Sequence, residues 1–268
     1  MHLQILGSGS GGNSVLVRAG EMNCLVDAGL PIDELERRLA EARVPPHRLD
    51  AIVLTHGHLD HARAAGLLSQ KCGARVYCSA SLMSNASLRS ARAFHALPVG
   101  GSVAIRGRRG SPHAAAPHDE LRVSAIPLPH DAEPTLAFRL EHAGRAAAIC
   151  TDMGHPERAA ARALAGAHLL VLEFNHDAEM LARGPYAPAL KRRVAGPRGH
   201  LSNAEAAEVL RWALAPELTT LVLAHLSGIN NRPELALACA RSALSEAGRT
   251  DVRCLVAEQE RIGPLLEV

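Results

Sequence analysis

Aromatic residues are nearly missing from this chain: Phe, Tyr and Trp together make up 2% of its 268 residues, and there is a single Trp. Few rings are on hand to stack bases, so an aromatic platform for single strands is not the expected mode of action. A formal net charge of +2 announces no polyanionic partner. Charge alone therefore leaves the substrate open. No apolar run approaches the ~20 residues of a membrane helix, and the opening MHLQILGSGSGGN lacks the basic, apolar and small-residue segments of an export signal. A soluble, cytoplasmic protein with no membrane partner is expected. The six cysteines form no C-x-x-C pair, and Cys24, Cys150, Cys239 and Cys254 lie in apolar stretches. They read as reduced core thiols rather than a metal or redox motif.

What the chain does have is 47% hydrophobic residues, enough for a sizeable core, and fifteen histidines. Short apolar runs at Leu3–Leu6, Ser14–Val17, Cys24–Val26, Ala51–Leu54, Val123–Ile126, Leu136–Leu140, Ala146–Ile149, Leu169–Phe174 and Leu218–Leu223 have strand lengths. Helical spacing marks Pro31–Ala42, Ala62–Gln70, Ala159–Ala165, Ser202–Leu214 and Pro233–Ala247. Ser202 and Glu205 make an S-x-x-E capping box that starts one helix just after His200. The order predicts an α/β protein with two β-sheets packed face to face between helical layers. We expect one domain over residues 1–268, built from halves of roughly 1–110 and 118–268 that flank a Gly, Pro and Ala-rich loop, Gly107–Pro117. The Gly-rich stretch Gly7–Ser14 lacks the Gly-Lys-Ser/Thr ending of a phosphate loop and leads into a strand, so it reads as a tight turn.

The strongest signal is Thr55-His56-Gly57-His58-Leu59-Asp60-His61, directly after a strand run. Alternate residues of an extended segment point the same way, so His56 and His58 can share one ion. Asp60 and His61 follow where the chain turns into a helix and can face a second ion. Imidazole with carboxylate suits zinc, manganese or iron, and the lack of thiolates argues against a structural zinc finger. His130, Asp152 and His225 each follow a strand run, at the carboxyl ends where layered α/β folds build their sites.

H-x-H-x-D-H followed by His, Asp and His resembles the ligand pattern of the metallo-β-lactamase superfamily. The resemblance implies an αββα four-layer sandwich carrying two divalent ions, with zinc or manganese expected and iron compatible. It places one ion on His56, His58 and His130, the other on Asp60, His61 and His225, and Asp152 across both. Asp60-His61 marks the branch that includes glyoxalase II-like and tRNase Z-like hydrolases, and argues against antibiotic hydrolysis.

Water shared by two divalent ions becomes a nucleophile near neutral pH, so the reaction class is hydrolysis. An alkoxide leaving group still needs a proton, which directs attention to Glu173, a carboxylate inside an apolar strand, and to His200 ahead of the capped helix. In the tRNase Z-like enzymes a comparable Glu orients a comparable His, so Asp60, Glu173 and His200 are the catalytic candidates. Lys191, Arg192 and Arg193, with Arg198 close by, and the helix start at Ser202 are placed to hold phosphate, although a charge run is also an ordinary solvated face. Asn175 and His176, with Ser227 and Asn230, either line the substrate groove or brace the ligands.

The segments LGSGSGGNS, LVDAGL, THGHLDH, HDAEPT, TDMG, EFNHDAEML, KRRV, GHLSN and LAHLSGINN are similar, in order and spacing, to the WalJ (also YycJ or VicX) group. That resemblance covers most of the chain and implies a metal-dependent DNA exonuclease acting from the 5′ end, with DNA favoured over RNA as partner. Leu59, where the group has a small polar residue, and the longer Gly107–Pro117 loop depart from it. The alternatives are a thioester or lactone hydrolase on the same dinuclear site and a metal-loaded regulator without catalysis. Oligomeric state stays open, a dimer included.

Overall fold

The computed structural model describes residues 1–107 and 120–268. Beyond Gly107 itself, the Gly107–Pro117 loop lies outside the described residues. These gather into two compact units, one of Met1–Ala125, Leu140–Arg145 and Glu258–Val268, the other of Ile126–Arg139 and Ala146–Ala257.

In chain order the first unit contributes β1 (His2–Gly7), β2 (Ser14–Ala19), β3 (Met22–Val26), α1 (Ile32–Glu41), β4 (Ala51–Val53), α2 (Leu59–Ala62), α3 (Ala65–Cys72), β5 (Arg75–Cys78), β6 (Phe94–Ala96) and β7 (Ser102–Arg106). Strands β8 (Glu120–Leu128) and β9 (Thr135–His142) each have residues in both units. There follow β10 (Arg145–Cys150), α4 (Arg158–Leu164), β11 (Leu169–Glu173), α5 (Ala178–Arg183), α6 (Pro188–Val194), α7 (Asn203–Ala213), β12 (Thr220–Ala224), α8 (Pro233–Glu246), β13 (Arg253–Val256) and β14 (Leu266–Glu267).

Two seven-stranded sheets result, in the orders β14-β1-β2-β3-β4-β5-β6 and β13-β12-β11-β10-β9-β8-β7. Both are mixed. Strands β1, β2 and β3 pair antiparallel, whereas β3 through β6 run parallel. In the other sheet β10 through β13 run parallel and β7 pairs antiparallel with β8. The α/β class expected from the sequence is present. Every residue of β4, β11 and β12 is buried, as strands covered on both faces require, and this explains their unbroken apolar runs.

Each unit has its own core. In the first, Leu6, Leu25, Leu35, Leu39, Ile52 and Leu68 pack together. In the second, Leu170, Leu172, Leu221 and Leu223 from the strands meet Ala160, Ala206, Ala240 and Ala243 from α4, α7 and α8. Small side chains let those helices sit close, so a core with few aromatic rings still fills its space. The capping box is present: the Ser202 hydroxyl accepts from Glu205 N–H, and Ser202 N–H donates to the Glu205 carboxylate at 2.9 Å.

Parallel strands bring their carboxyl ends to one edge of a sheet. At these ends three residues other than glycine adopt left-handed backbone: Asp27 after β3 (φ 62°), Asp152 after β10 (φ 62°) and His225 after β12 (φ 56°). Such conformations cost about 1–3 kcal/mol each and persist where the surroundings over-determine them. All three turn out to belong to the clusters described next.

Candidate metal centre

In the first unit the cluster starts from Asp27 and the segment after β4. Thr55 N–H donates to Asp27 Oδ1 at 2.8 Å, and the Thr55 hydroxyl lies 2.8 Å from Oδ2. His61 Nδ1 stands 2.7 Å from the same Oδ2. A carboxylate can only accept, so His61 carries its proton on Nδ1 and presents the lone pair on Nε2. With its hydrogen committed to Asp27, the Thr55 oxygen accepts from His56 Nδ1 at 3.0 Å, which sets the same tautomer there. The His56 ring centroid lies 4.7 Å from that of His58 and 4.2 Å from that of His61, and Asp60 Oδ2 is 3.6 Å from His61 Nε2. Thus His56, His58, Asp60 and His61 are brought together. The Gly-rich turn after β1 clamps this segment, for Asn13 N–H donates to Asp60 O at 2.8 Å and Asn13 Nδ2 reaches His61 Nε2 at 3.0 Å. The approach requires Gly29, where a β-carbon would sit 1.7 Å from Asp60 O.

In the second unit the cluster is organised by Glu173 at the end of β11, fully buried yet fully satisfied. Its Oε1 accepts from His200 Nδ1 and from His225 Nδ1, each at 2.9 Å. Its Oε2 accepts from Met153 N–H at 3.1 Å and Leu201 N–H at 3.2 Å. Burial pushes the Glu173 carboxyl up, but the His200 charge and the imidazole donors outweigh it and hold the group well below the usual carboxylate range. Burial likewise works against a charged His200, and Glu173 overcomes it, leaving the imidazole raised above its ordinary value. Asp152 Oδ1 lies 3.5 Å from His200 Nδ1 and from His225 Nδ1, and 3.9 Å from His130 Nε2. Atoms able to ligate a metal on Asp152, Glu173, His200 and His225 all fall within 4.8 Å of one another. His130 donates from Nδ1 to Gly199 O at 2.9 Å.

A family model described as the beta-lactamase superfamily domain matches residues 22–225. The chain belongs to the metallo-β-lactamase superfamily. It is 31% identical over 248 residues to exodeoxyribonuclease YycJ of Bacillus anthracis, covering 92% of this chain and 90% of that one. It is 31% identical over 238 residues to exodeoxyribonuclease WalJ of Streptococcus pneumoniae, covering 87% and 84% respectively. Among solved structures it resembles the metallo-β-lactamase fold protein YhfI of Bacillus subtilis, with a TM-score of 0.69 at 17% identity over 98% of this chain and 99% of that one. The last likeness concerns the fold alone.

The donor sets fit the divalent metal that the metallo-β-lactamase superfamily implies. They combine imidazoles with carboxylates and contain no thiolate. His61, His130 and His225 each commit Nδ1 to an acceptor, namely Asp27, Gly199 O and Glu173, the outer hydrogen bond that orients a ligating histidine and directs Nε2 to an ion. An ion on His61 Nε2 would take the place of the Asn13 amide.

The expected substrate contacts are placed less uniformly. Arg193 pairs with Asp131 Oδ2 at 2.7 Å, Lys191 Nζ donates to Ala182 O at 2.6 Å, and the exposed Arg192 side chain makes no hydrogen bond among the described residues. Arg198 donates to His130 O at 3.1 Å and pairs with Glu133. Asn175 Nδ2 donates to His225 O at 2.9 Å and so braces the left-handed residue. The Ser227 hydroxyl accepts from Asn230 N–H at 3.1 Å, closing the turn after His225. The Ser202 hydroxyl is engaged in its helix cap, and buried His176 makes no hydrogen bond through Nδ1 among the described residues.

Sequence reasoning assigned no role to Asp27, Asn13 or Asp131. Asp27 and Asn13 sit in the quoted segments LVDAGL and LGSGSGGNS, and a carboxylate closing an apolar strand was the signal available for Asp27. Asp131 Oδ1 lies 3.3 Å from His130 Nε2 while Oδ2 holds Arg193, so it joins the second cluster to the basic helix α6.

Proposed function

We propose that this chain is a metal-dependent exodeoxyribonuclease of the cytoplasm that degrades DNA from the 5′ end, its whole length acting as one metallo-β-lactamase-fold domain. The reading is carried by the hydrogen bond between Glu173 and His200 beside Asp152. The thiolate of a thioester departs with little need of a proton, whereas the 3′ oxygen of a nucleotide leaves as an alkoxide and needs one. The names of the relatives, exodeoxyribonucleases similar over most of both chains, support the same substrate.

In this proposal two divalent ions, zinc or manganese, are held by His56, His58 and His130 and by Asp60, His61 and His225, with Asp152 serving both. Ions so held would lower the pKa of water and polarise the phosphoryl group. Glu173 keeps the His200 proton on Nδ1 and stabilises the imidazolium, and His200 Nε2 then gives its proton to the departing oxygen. Arg192, exposed on α6, steadies the phosphate backbone.

The test is digestion of end-labelled double-stranded DNA and RNA by metal-reconstituted protein. A 5′ label should appear at once as mononucleotide, and a 3′ label only late. Hydrolysis of a thioester with no cleavage of either nucleic acid would sink the proposal.

A further inference from the structure

The first unit holds a second concave site, distant from the histidines. The turn between β2 and β3 and the loop from Arg43 to Arg48 line a half-open cavity of about 370 Å³. These segments precede β3 and β4, whereas Asp27 and His56 follow the carboxyl ends of the same strands. The cavity is therefore at the opposite edge of the sheet, roughly 16 Å away by the rise of a five-residue strand.

Three arginines, Arg18, Arg43 and Arg48, line it beside His47, against one acidic side chain, Glu21. Arg18 pairs in register with Asn23 across β2 and β3 and gives one N–H to Ala42 O at the end of α1, while its buried Nε has no acceptor among the described residues. The exposed guanidinium groups of Arg43 and Arg48 make no hydrogen bond or ion pair among the described residues. The walls are tied together, since Asn23 Nδ2 donates to Arg48 O at 3.2 Å and Val44 N–H to Leu39 O at 2.9 Å. One role for Arg18 is to cap the carbonyl end of α1. That accounts for a single N–H and leaves two further arginines without work.

We propose that this cavity binds a small phosphate-bearing molecule through the three arginines. Guanidinium forks match phosphate oxygens in pairs, and the volume falls within the roughly 300–1,000 Å³ of small-ligand pockets. A concave site of this size, confined to two short segments, suits a compact ligand, where a nucleic-acid backbone would be met by an extended basic stripe.

Calorimetric titration of the metal-stripped full chain with inorganic phosphate and with deoxyadenosine monophosphate tests this, since chelation removes phosphate binding at the histidines. At least one probe should bind with a Kd below about 1 mM, weakened about tenfold or more by R43E/R48E, with the thermal midpoint unchanged. Should the double variant fold poorly, R48Q alone should still weaken binding, while His56→Ala should not. Tighter binding of the nucleotide assigns a nucleoside or sugar phosphate, and equal affinities assign free phosphate. No binding of either probe, or binding that survives R43E/R48E, overturns the proposal. So does an effect confined to a 5′-phosphorylated oligonucleotide, which would make this a nucleic-acid contact.

Discussion

Compare the edge of the first sheet at β3 and β4 with the edge of the second at β10, β11 and β12. At the first, four candidate ligands lie within the six residues His56 to His61, and alternation along the chain already aims two of them together. At the second, His130, Asp152, His200 and His225 arrive from separate strand ends and loops. At each edge a buried carboxylate fixes the imidazoles, Asp27 at the first and Glu173 at the second, but their tasks differ. Asp27 fixes a single imidazole directly and a second through the Thr55 hydroxyl. Glu173 fixes two imidazoles and two backbone N–H groups at once. Where local sequence leaves side chains unconstrained, a satisfied buried carboxylate does the organising, so its loss should reach further.

The largest expected effect is at Asp152, the carboxylate proposed to serve both ions. Asp152→Ala should abolish nuclease activity beyond any single terminal-ligand change and lower metal content from two ions toward one or none, as elemental analysis would show. Two retained ions with near-normal turnover would refute the bridging role.

His200→Ala comes next. Both ions should stay bound while DNA cleavage slows roughly 10²–10⁴-fold, the usual worth of a positioned acid. An activated ester such as bis-nitrophenyl phosphate needs little protonation and should be cleaved at close to the parental rate. Equal losses on both substrates would make His200 a substrate or metal support instead. Because Glu173 raises the His200 pKa in the folded protein, the acid form survives to higher pH than a free imidazole would allow. Parental activity should therefore fall as pH climbs through that raised value, and the His200→Ala profile should lack this limb.

The two carboxylates can then be set against each other. Glu173→Gln and Asp27→Asn should each cost about 10–100-fold in metal affinity or activity, as outer-ligand changes do. Only Glu173→Gln should also displace the pH limb, since only Glu173 touches His200. Identical pH profiles for the two variants would erase the distinction between the edges. The smallest effect is at the start of α7, where Ser202→Ala should cost about 1 kcal/mol of stability in denaturant unfolding and leave KM unaltered. A higher KM with stability intact would put that hydroxyl on substrate.

Much of this was legible because it is local. The H-x-H-x-D-H segment, the Ser202–Glu205 box and the strands with unbroken apolar runs each depend on residues a few positions apart. Strands β5, β6, β7, β13 and β14 were not anticipated; all but β5 are edge strands with partly exposed residues, so they lack that apolar signature. The basic run on α6 read as a phosphate holder, yet Arg193 is turned to Asp131, a partner 62 residues away that no spacing rule reveals.

The sequence by itself determined which atoms are offered for chemistry: imidazole and carboxylate, no thiolate, and one carboxylate in a strand where it must be paired. Tertiary structure alone decided which nitrogen of each histidine carries the proton. That choice rests on Asp27 meeting His61, Gly199 O meeting His130, and Glu173 meeting both His200 and His225. Hydrogen bonds form over about 3 Å of space, and separation along the chain does not set that distance. Parallel strand ends and their left-handed turns do.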